Sequence, residues 1–198
     1  MNQRDYRNHM TNPLVALTVV SPSLLLDIRY ATKNNFLGKQ IYTQPAAFLR
    51  RSVAQRLHKV QEDLIQRGLG LKVWDAYRPL TVQKDLWQAV PDPRYVADPL
   101  KGSMHNRGAA VDVTLVDEKG HELVMPTGFD DFTEQAHLNY QPSDPKTLIN
   151  RQILTEVMSK YGFQPIATEW WHFDDPEASS YPLESISFED LLMQEQPV

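Results

Sequence analysis

Two histidines and two carboxylates stand where they could hold a metal ion and move a proton. The stretch Ser103-Met104-His105-Asn106-Arg107-Gly108-Ala109-Ala110-Val111-Asp112 brings His105 and Asp112 together across a glycine, and Glu169-Trp170-Trp171-His172 supplies the second pair. In a strand, alternate residues face one way, so Ala110, Asp112 and Thr114 share a face while Val111, Val113 and Leu115 share the other. The apolar set belongs in the core, which turns Asp112 toward a cleft or solvent. Gly108 permits the tight turn by which His105 folds back beside it. Two neutral imidazoles and one carboxylate leave a fourth position open on Zn²⁺, the pattern of a catalytic rather than a structural site. The water held there would have its pKa lowered to about 7. Glu169 is then the candidate to take the water proton and pass it to a leaving amine.

Taken singly, each stretch has a plainer explanation. His-x6-Asp spacing is common without a metal, and Trp-Trp-His is more often core packing. Within one regular strand Glu169 and His172 would face opposite sides, so a shared site needs Glu169 at an irregular strand entrance. The helical His-Glu-x-x-His signature of thermolysin-like enzymes is absent. His9, His58, His121 and His137 read as surface or hydrogen-bonded histidines, His137 being the least secure because acidic residues flank it.

Composition narrows the chemistry. The chain has 198 residues, no cysteine and a formal charge of −5. Thiolate nucleophiles, disulfides and cysteine-type zinc sites are thereby excluded. No basic cluster suggests nucleic acid, and no run is long enough to span a bilayer. Residues 1–20 lack the order of a secretory signal, so the expected compartment is the cytoplasm.

The elements that must position these residues follow from periodicity. Leu49, Val53, Leu57, Val60 and Leu64 predict a helix over 45–67, stopped by Gly68. Leu71–Trp74 predicts a buried strand, ending at Pro79 after Asp75-Ala76-Tyr77-Arg78. A second helix is predicted over 81–90 and a third over 151–161, capped by Asn150. Strands are predicted over 109–116 and 169–174. Helices and strands come in blocks, which predicts one α+β domain over 1–198 with a mainly antiparallel sheet, helices packed on it and a zinc site in a central cleft. Residues 1–20 and 185–198 are expected to be loose ends.

Together, Ser103-x-His105-x-x-Gly108-x-Ala110-x-Asp112 and Glu169-x-x-His172 resemble the zinc peptidases that cut peptidoglycan peptides, which include D-Ala-D-Ala carboxypeptidases and dipeptidases. Ile28-Arg29-Tyr30-Ala31-Thr32 with Asn35-Phe36-x-Gly38, Asp75-x-Tyr77-Arg78-Pro79 and Gly128-Phe129-Asp130 resemble the D-alanyl-D-alanine dipeptidase (VanX-type) subfamily. The likeness runs from about residue 24 to residue 183. It implies one Zn²⁺ per chain on His105, Asp112 and His172, Glu169 as general base and acid, and Arg78 stabilising the oxyanion. Tyr30, Ser103 and Asp130 would hold the ammonium end of a small dipeptide, D-Ala-D-Ala. Arg78 could instead be a structural ion pair after a strand, and Asp130 a turn residue. The chain departs from the vancomycin-resistance enzymes between Trp87 and Ser103, where it is shorter, near the expected mouth of the cleft. Two other functions compete: a carboxypeptidase trimming longer peptidoglycan peptides, and a zinc module that binds wall peptides without catalysis. Glu169 and Arg78 argue against the second, and the missing export signal against the first.

Overall fold

A computed structural model describes residues 12–93 and 95–194. A five-stranded sheet forms its centre, built from β2 (Leu25–Leu26), β4 (Leu69–Asp75), β5 (Ala110–Asp117), β6 (Gln164–Ile166) and β7 (Glu169–Asp174). The strand order is β2-β4-β5-β7-β6. Only β2–β4 is parallel; the other three pairings are antiparallel. A separate antiparallel pair joins β1 (Leu14–Ala16) to β3 (Phe48–Arg50). The helices are the single turn α1 (Leu17–Val20), α2 (Arg51–Ile65), α3 (Leu80–Ala89), α4 (Pro145–Lys160) and α5 (Phe188–Gln194). The class is α+β, as expected.

The long helix α2 packs through Val53, Leu57, Val60 and Leu64, all fully buried. That stripe recurs at three- and four-residue steps, so one face meets the sheet and the other meets water. Gln61 lies on the same face. Its Oε1 accepts from the Leu71 amide at 2.8 Å and its Nε2 donates to Ser23 O at 3.0 Å, which ties α2 to β4 without leaving a buried amide unpaired. Val111, Val113 and Leu115 of β5 are fully buried. Asp112, on the opposite face, is also buried, at 3% exposure. It therefore points into an enclosed cleft rather than solvent. Buried apolar side chains from the sheet, α2, α4 and α5 belong to one cluster.

Three expectations are corrected. The predicted helix over 45–67 begins only at Arg51: Phe48–Arg50 is a strand, because Leu49 pairs with Val15 and all three residues are buried between β1 and the core. The third helix starts at Pro145, with Asp144 as its cap accepting from the Lys146 amide; proline at the first helical position suits that start. Asn150 lies inside the helix, and its side chain donates to Val124 O at 2.9 Å. Of the expected loose ends, Leu14–Ala16 is paired and buried, Leu17 is fully buried, and Phe188 and Leu191 join the core. Residues 1–11, with His9, and 195–198 lie outside the described residues. Among the described residues no helix is long and apolar enough to cross a membrane.

Candidate metal centre and active site

Each candidate ligand is placed by a local device. His105 opens a short 3₁₀ turn, His105–Arg107, which ends at Gly108 with φ +66°. A side chain at Gly108 would collide with that of Leu14, and the positive φ is one that L residues rarely adopt, so the turn favours glycine. Asp112 and His172 are direct partners across β5 and β7. Glu169 is the first residue of β7, and the β6–β7 register shifts where it pairs with Ile166. This is the irregular strand entrance that a shared site demanded. It lets Glu169 Oε2 come within 3.9 Å of His172 Nδ1 although the two residues are three apart.

His105 Nε2, His172 Nδ1 and the Asp112 carboxylate converge. The separations are 3.1 Å between the imidazole nitrogens, 3.0 Å from His172 Nδ1 to Asp112 Oδ1, and 3.3 Å from His105 Nε2 to Asp112 Oδ2. Zinc bonds of 2.0–2.1 Å in a tetrahedron put donor atoms roughly 3.3 Å apart, so this spacing suits the ion. The outward nitrogens are also engaged. His105 Nδ1 lies 2.7 Å from Ala76 O, which can only accept, and His172 Nε2 lies 2.8 Å from Asp174 Oδ1. Both outer nitrogens donate, which directs Nε2 of His105 and Nδ1 of His172 inward. Among the described residues these three side chains form the one His/Asp/Glu group able to hold a metal.

The charges inside the cluster reinforce one another. Burial alone would push the Asp112 carboxyl up, but the imidazoles of His105 and His172 hold it well below the usual carboxylate range. Burial alone would lower His172, but its hydrogen bonds to Asp112 and Asp174 raise it well above the ordinary histidine value. Glu169 is pushed up, first by burial and also by Asp112, with His172 opposing. A carboxylate with an elevated pKa next to an imidazole is poised to accept and return a proton.

A cavity of about 320 Å³ opens over this cluster and is lined by all eight expected site residues, Tyr30, Arg78, Ser103, His105, Asp112, Asp130, Glu169 and His172. Arg78 is 8% exposed and sits on a carboxylate: its Nε and Nη2 donate to Asp75 Oδ2 at 3.1 and 2.8 Å, while Nη1 donates to Gln83 Oε1 at 3.0 Å. The structural ion pair therefore exists, and it fixes the guanidinium rather than consuming it, since a guanidinium has five N–H donors. A bulge between Val73 and Asp75 aims Asp75 at that position. Tyr42 completes the support by donating to Asp75 Oδ1 at 2.7 Å.

In the same cavity Tyr30 donates to Asp130 Oδ2 at 2.9 Å. Asp130 has φ +55°, the one positive φ outside glycine among the described residues. Such strain persists where the surroundings over-determine it, and it concentrates at functional sites. Burial first, then the nearby Asp112, pushes the Asp130 carboxyl well above the usual range. Among the described residues no cation forms an ion pair with it. Ser103 lines the cavity, but its Oγ also accepts from the Asn106 amide at 3.3 Å, so part of its capacity is used in the turn that carries His105.

Residues 10–190 match the family model for peptidase M15, described as D-ala-D-ala dipeptidase. The chain belongs to this family. Relatives named D-alanyl-D-alanine dipeptidase occur in Escherichia coli strain K12, at 43% identity over 173 residues, covering 87% of this chain and 90% of the relative. The relative from Enterococcus faecalis strain V583 is 30% identical over 196 residues, covering 87% and 97% respectively. That from Enterococcus faecium is 31% identical over 179 residues, covering 78% and 89%. Membership of this peptidase family is in keeping with a metal cluster, a neighbouring carboxylate and a cavity assembled in one place.

Sequence reasoning missed the supporting residues: Asp174, Gln83, Tyr42 and the Ala76 carbonyl. For Asp174 the alternation of β7 was available, because 172 and 174 share a face. Of the remaining histidines, His58 Nδ1 bonds Ser21 Oγ at 3.0 Å and His121 Nδ1 lies 3.2 Å from Asp117 Oδ2, as expected of hydrogen-bonded surface side chains.

Proposed function

We propose that this protein hydrolyses free D-alanyl-D-alanine to two D-alanines, with one zinc ion held by His105, Asp112 and His172. The observation that carries the reading is the composition of one cavity, which holds the His105–Asp112–His172 cluster, Glu169 and an Asp130 carboxyl that no cation pairs with among the described residues. The relatives' printed names supply the substrate.

A zinc ion held by His105, Asp112 and His172 would supply Lewis acidity, lowering the pKa of a water to about 7. Glu169 takes a proton from the attacking water as the water oxygen adds to the peptide carbonyl carbon, and returns it to the amine nitrogen as the C–N bond breaks. Arg78 places its unused N–H groups at the carbonyl oxygen, where negative charge develops in a site sheltered from water. Asp75 and Gln83 keep it from rotating away. Asp130 and Tyr30 take the free ammonium of the dipeptide, and Ser103 lines the same wall. The ammonium would give Asp130 a direct ion pair beyond the charge effect of nearby Arg78. Hydrolysis of this dipeptide bears on cell-wall precursors, which is the proposed role.

Three substrates test the reading with metal-replete protein: D-Ala-D-Ala, L-Ala-L-Ala and a pentapeptide ending in D-Ala-D-Ala. Turnover of the first well above the other two is expected. Preferred cleavage of the pentapeptide would favour a carboxypeptidase instead. Asp130→Asn should lower kcat/KM on the free dipeptide by about thirtyfold or more, since an unpaired buried charge costs roughly 2–5 kcal/mol. N-acetyl-D-Ala-D-Ala should lose less. Equal losses on both substrates would remove Asp130 from ammonium recognition. Glu169→Gln should keep stoichiometric metal and lose roughly 10²–10⁴ in kcat.

A further inference from the structure

A second cavity, of about 560 Å³, lies beside the first and shares Pro93, Tyr95, Thr168 and Glu169 with it. Its other walls come from residues 131–137, directly after Asp130 in the chain. A row of aromatic rings runs along the boundary. Tyr30, whose hydroxyl holds Asp130, meets Phe36 at 6.4 Å between centroids. Phe36 meets Phe132 edge-on at 5.3 Å, and Phe132 meets Tyr95 at 4.7 Å. Phe36 and Tyr95 face the catalytic cavity, whereas Phe132 lines the second. Three chain segments remote in sequence thus close ranks at the point where the substrate's amino end would sit. Edge-on contacts of this kind hold rings in a defined packing.

We propose that the Phe36–Phe132–Tyr95 row is a specificity-determining partition that limits substrate length, and that the second cavity is where an N-terminal extension of the peptide would have to go. This inference rests on the reading that Asp130 marks the amino end. Each added residue lengthens an extended peptide by roughly 3.5 Å. Such an extension leads away from the zinc cluster past Asp130, toward the segment that contributes Asp131 and Phe132. The three rings stand along the boundary between the two cavities, and removing one of them should widen the passage from the first to the second. The partition is built from side chains with no part in proton transfer or metal binding, so length and chemistry are separable.

The test uses two peptides that both present a neutral amide to Asp130, N-formyl-D-Ala-D-Ala and N-acetyl-L-Ala-D-Ala-D-Ala. Their ratio reads length alone, with charge recognition cancelled. Phe132→Ala and Tyr95→Ala should each raise kcat/KM for the longer peptide relative to the shorter by about tenfold or more, the scale of a steric discrimination at a pocket wall. Calorimetric binding of both peptides to metal-loaded Glu169→Gln protein, with and without Phe132→Ala, should show the same change without turnover. A ratio unmoved in both variants overturns the partition, even if wild type splits free D-Ala-D-Ala well. If wild type prefers the formylated dipeptide to the free one, the ammonium reading fails, while a narrowed length gap still supports the partition. Binding of the shorter peptide but not the longer one to the Phe132→Ala protein likewise overturns the partition.

Discussion

His172 uses its two ring nitrogens for different tasks: Nδ1 faces Asp112 and His105, and Nε2 donates to Asp174 Oδ1 at 2.8 Å. An imidazole whose outer N–H is held by a carboxylate is fixed in tautomer and orientation and is a more basic ligand. Asp174→Ala should therefore weaken zinc binding by about 10–100-fold, the usual effect of losing such a partner. Asp174→Asn, which keeps an acceptor oxygen without the charge, should fall between. Competition against a chelating dye measures both, and an unchanged Kd in the alanine variant would refute the role. The three candidate ligands were legible only when the two stretches were read together as a resemblance, because singly each spacing had a plainer explanation. Asp75 and Gln83 were not legible as supports for Arg78. A bulge and a helix start bring them to the guanidinium, and neither leaves a periodic trace in the sequence.

At the scale of elements, the site depends on turns more than on regular structure. Gly108 reverses the chain between the His105 turn and β5, and Arg50 donates its amide to Gly108 O at 2.8 Å. The β1–β3 pair is thereby tied to the loop that carries His105, a candidate metal ligand. Gly108→Ala adds a left-handed strain of about 1–2 kcal/mol and a collision with the Leu14 side chain. The melting temperature should fall by at least about 2–4 °C, the shift expected per kcal/mol for a chain of this size. Zinc affinity should fall with it as His105 is displaced. Unaltered melting and affinity would show that the turn adapts without cost. The role of Gly108 was readable in advance because glycine is the residue that such a reversal demands. The start of α2 was not. Leu49 falls in step with Val53 and Leu57, so periodicity extends the helix across Phe48–Arg50. Pairing with Leu14–Ala16 decides otherwise. That partner is distant in sequence, and intrinsic preference yields to it.

On the scale of the molecule, parts remote in the chain become one object only through the fold. Tyr30 and Asp130 are 100 residues apart and share a hydrogen bond. Family motifs, not periodicity, made that pair visible. The metal cluster joins the centre of the sheet in the same way, so its protonation is coupled to the stability of the whole. Without metal, the raised His172 stabilises the folded chain fully below its ordinary pKa of 6.5, and that contribution is lost as pH rises through the folded value. The depressed Asp112 stabilises it above 3.8, and that contribution is lost as pH falls through its lower folded value. With metal, both imidazoles must be neutral, so zinc competes with protons and binds more tightly as pH rises. Above about pH 6.5 the two effects act together: the metal-free chain loses its imidazolium–carboxylate pairing while the metal-loaded chain gains affinity. The melting-temperature difference between zinc-saturated and chelator-treated protein should therefore grow from pH 6 to pH 8. At free zinc near 100 times its Kd, binding adds about 2.7 kcal/mol, or roughly 5–10 °C for a chain of this length. Taking the difference at each pH cancels titrations elsewhere in the fold. A shift as large at pH 6 as at pH 8 would refute the linkage between zinc binding and the His172 proton.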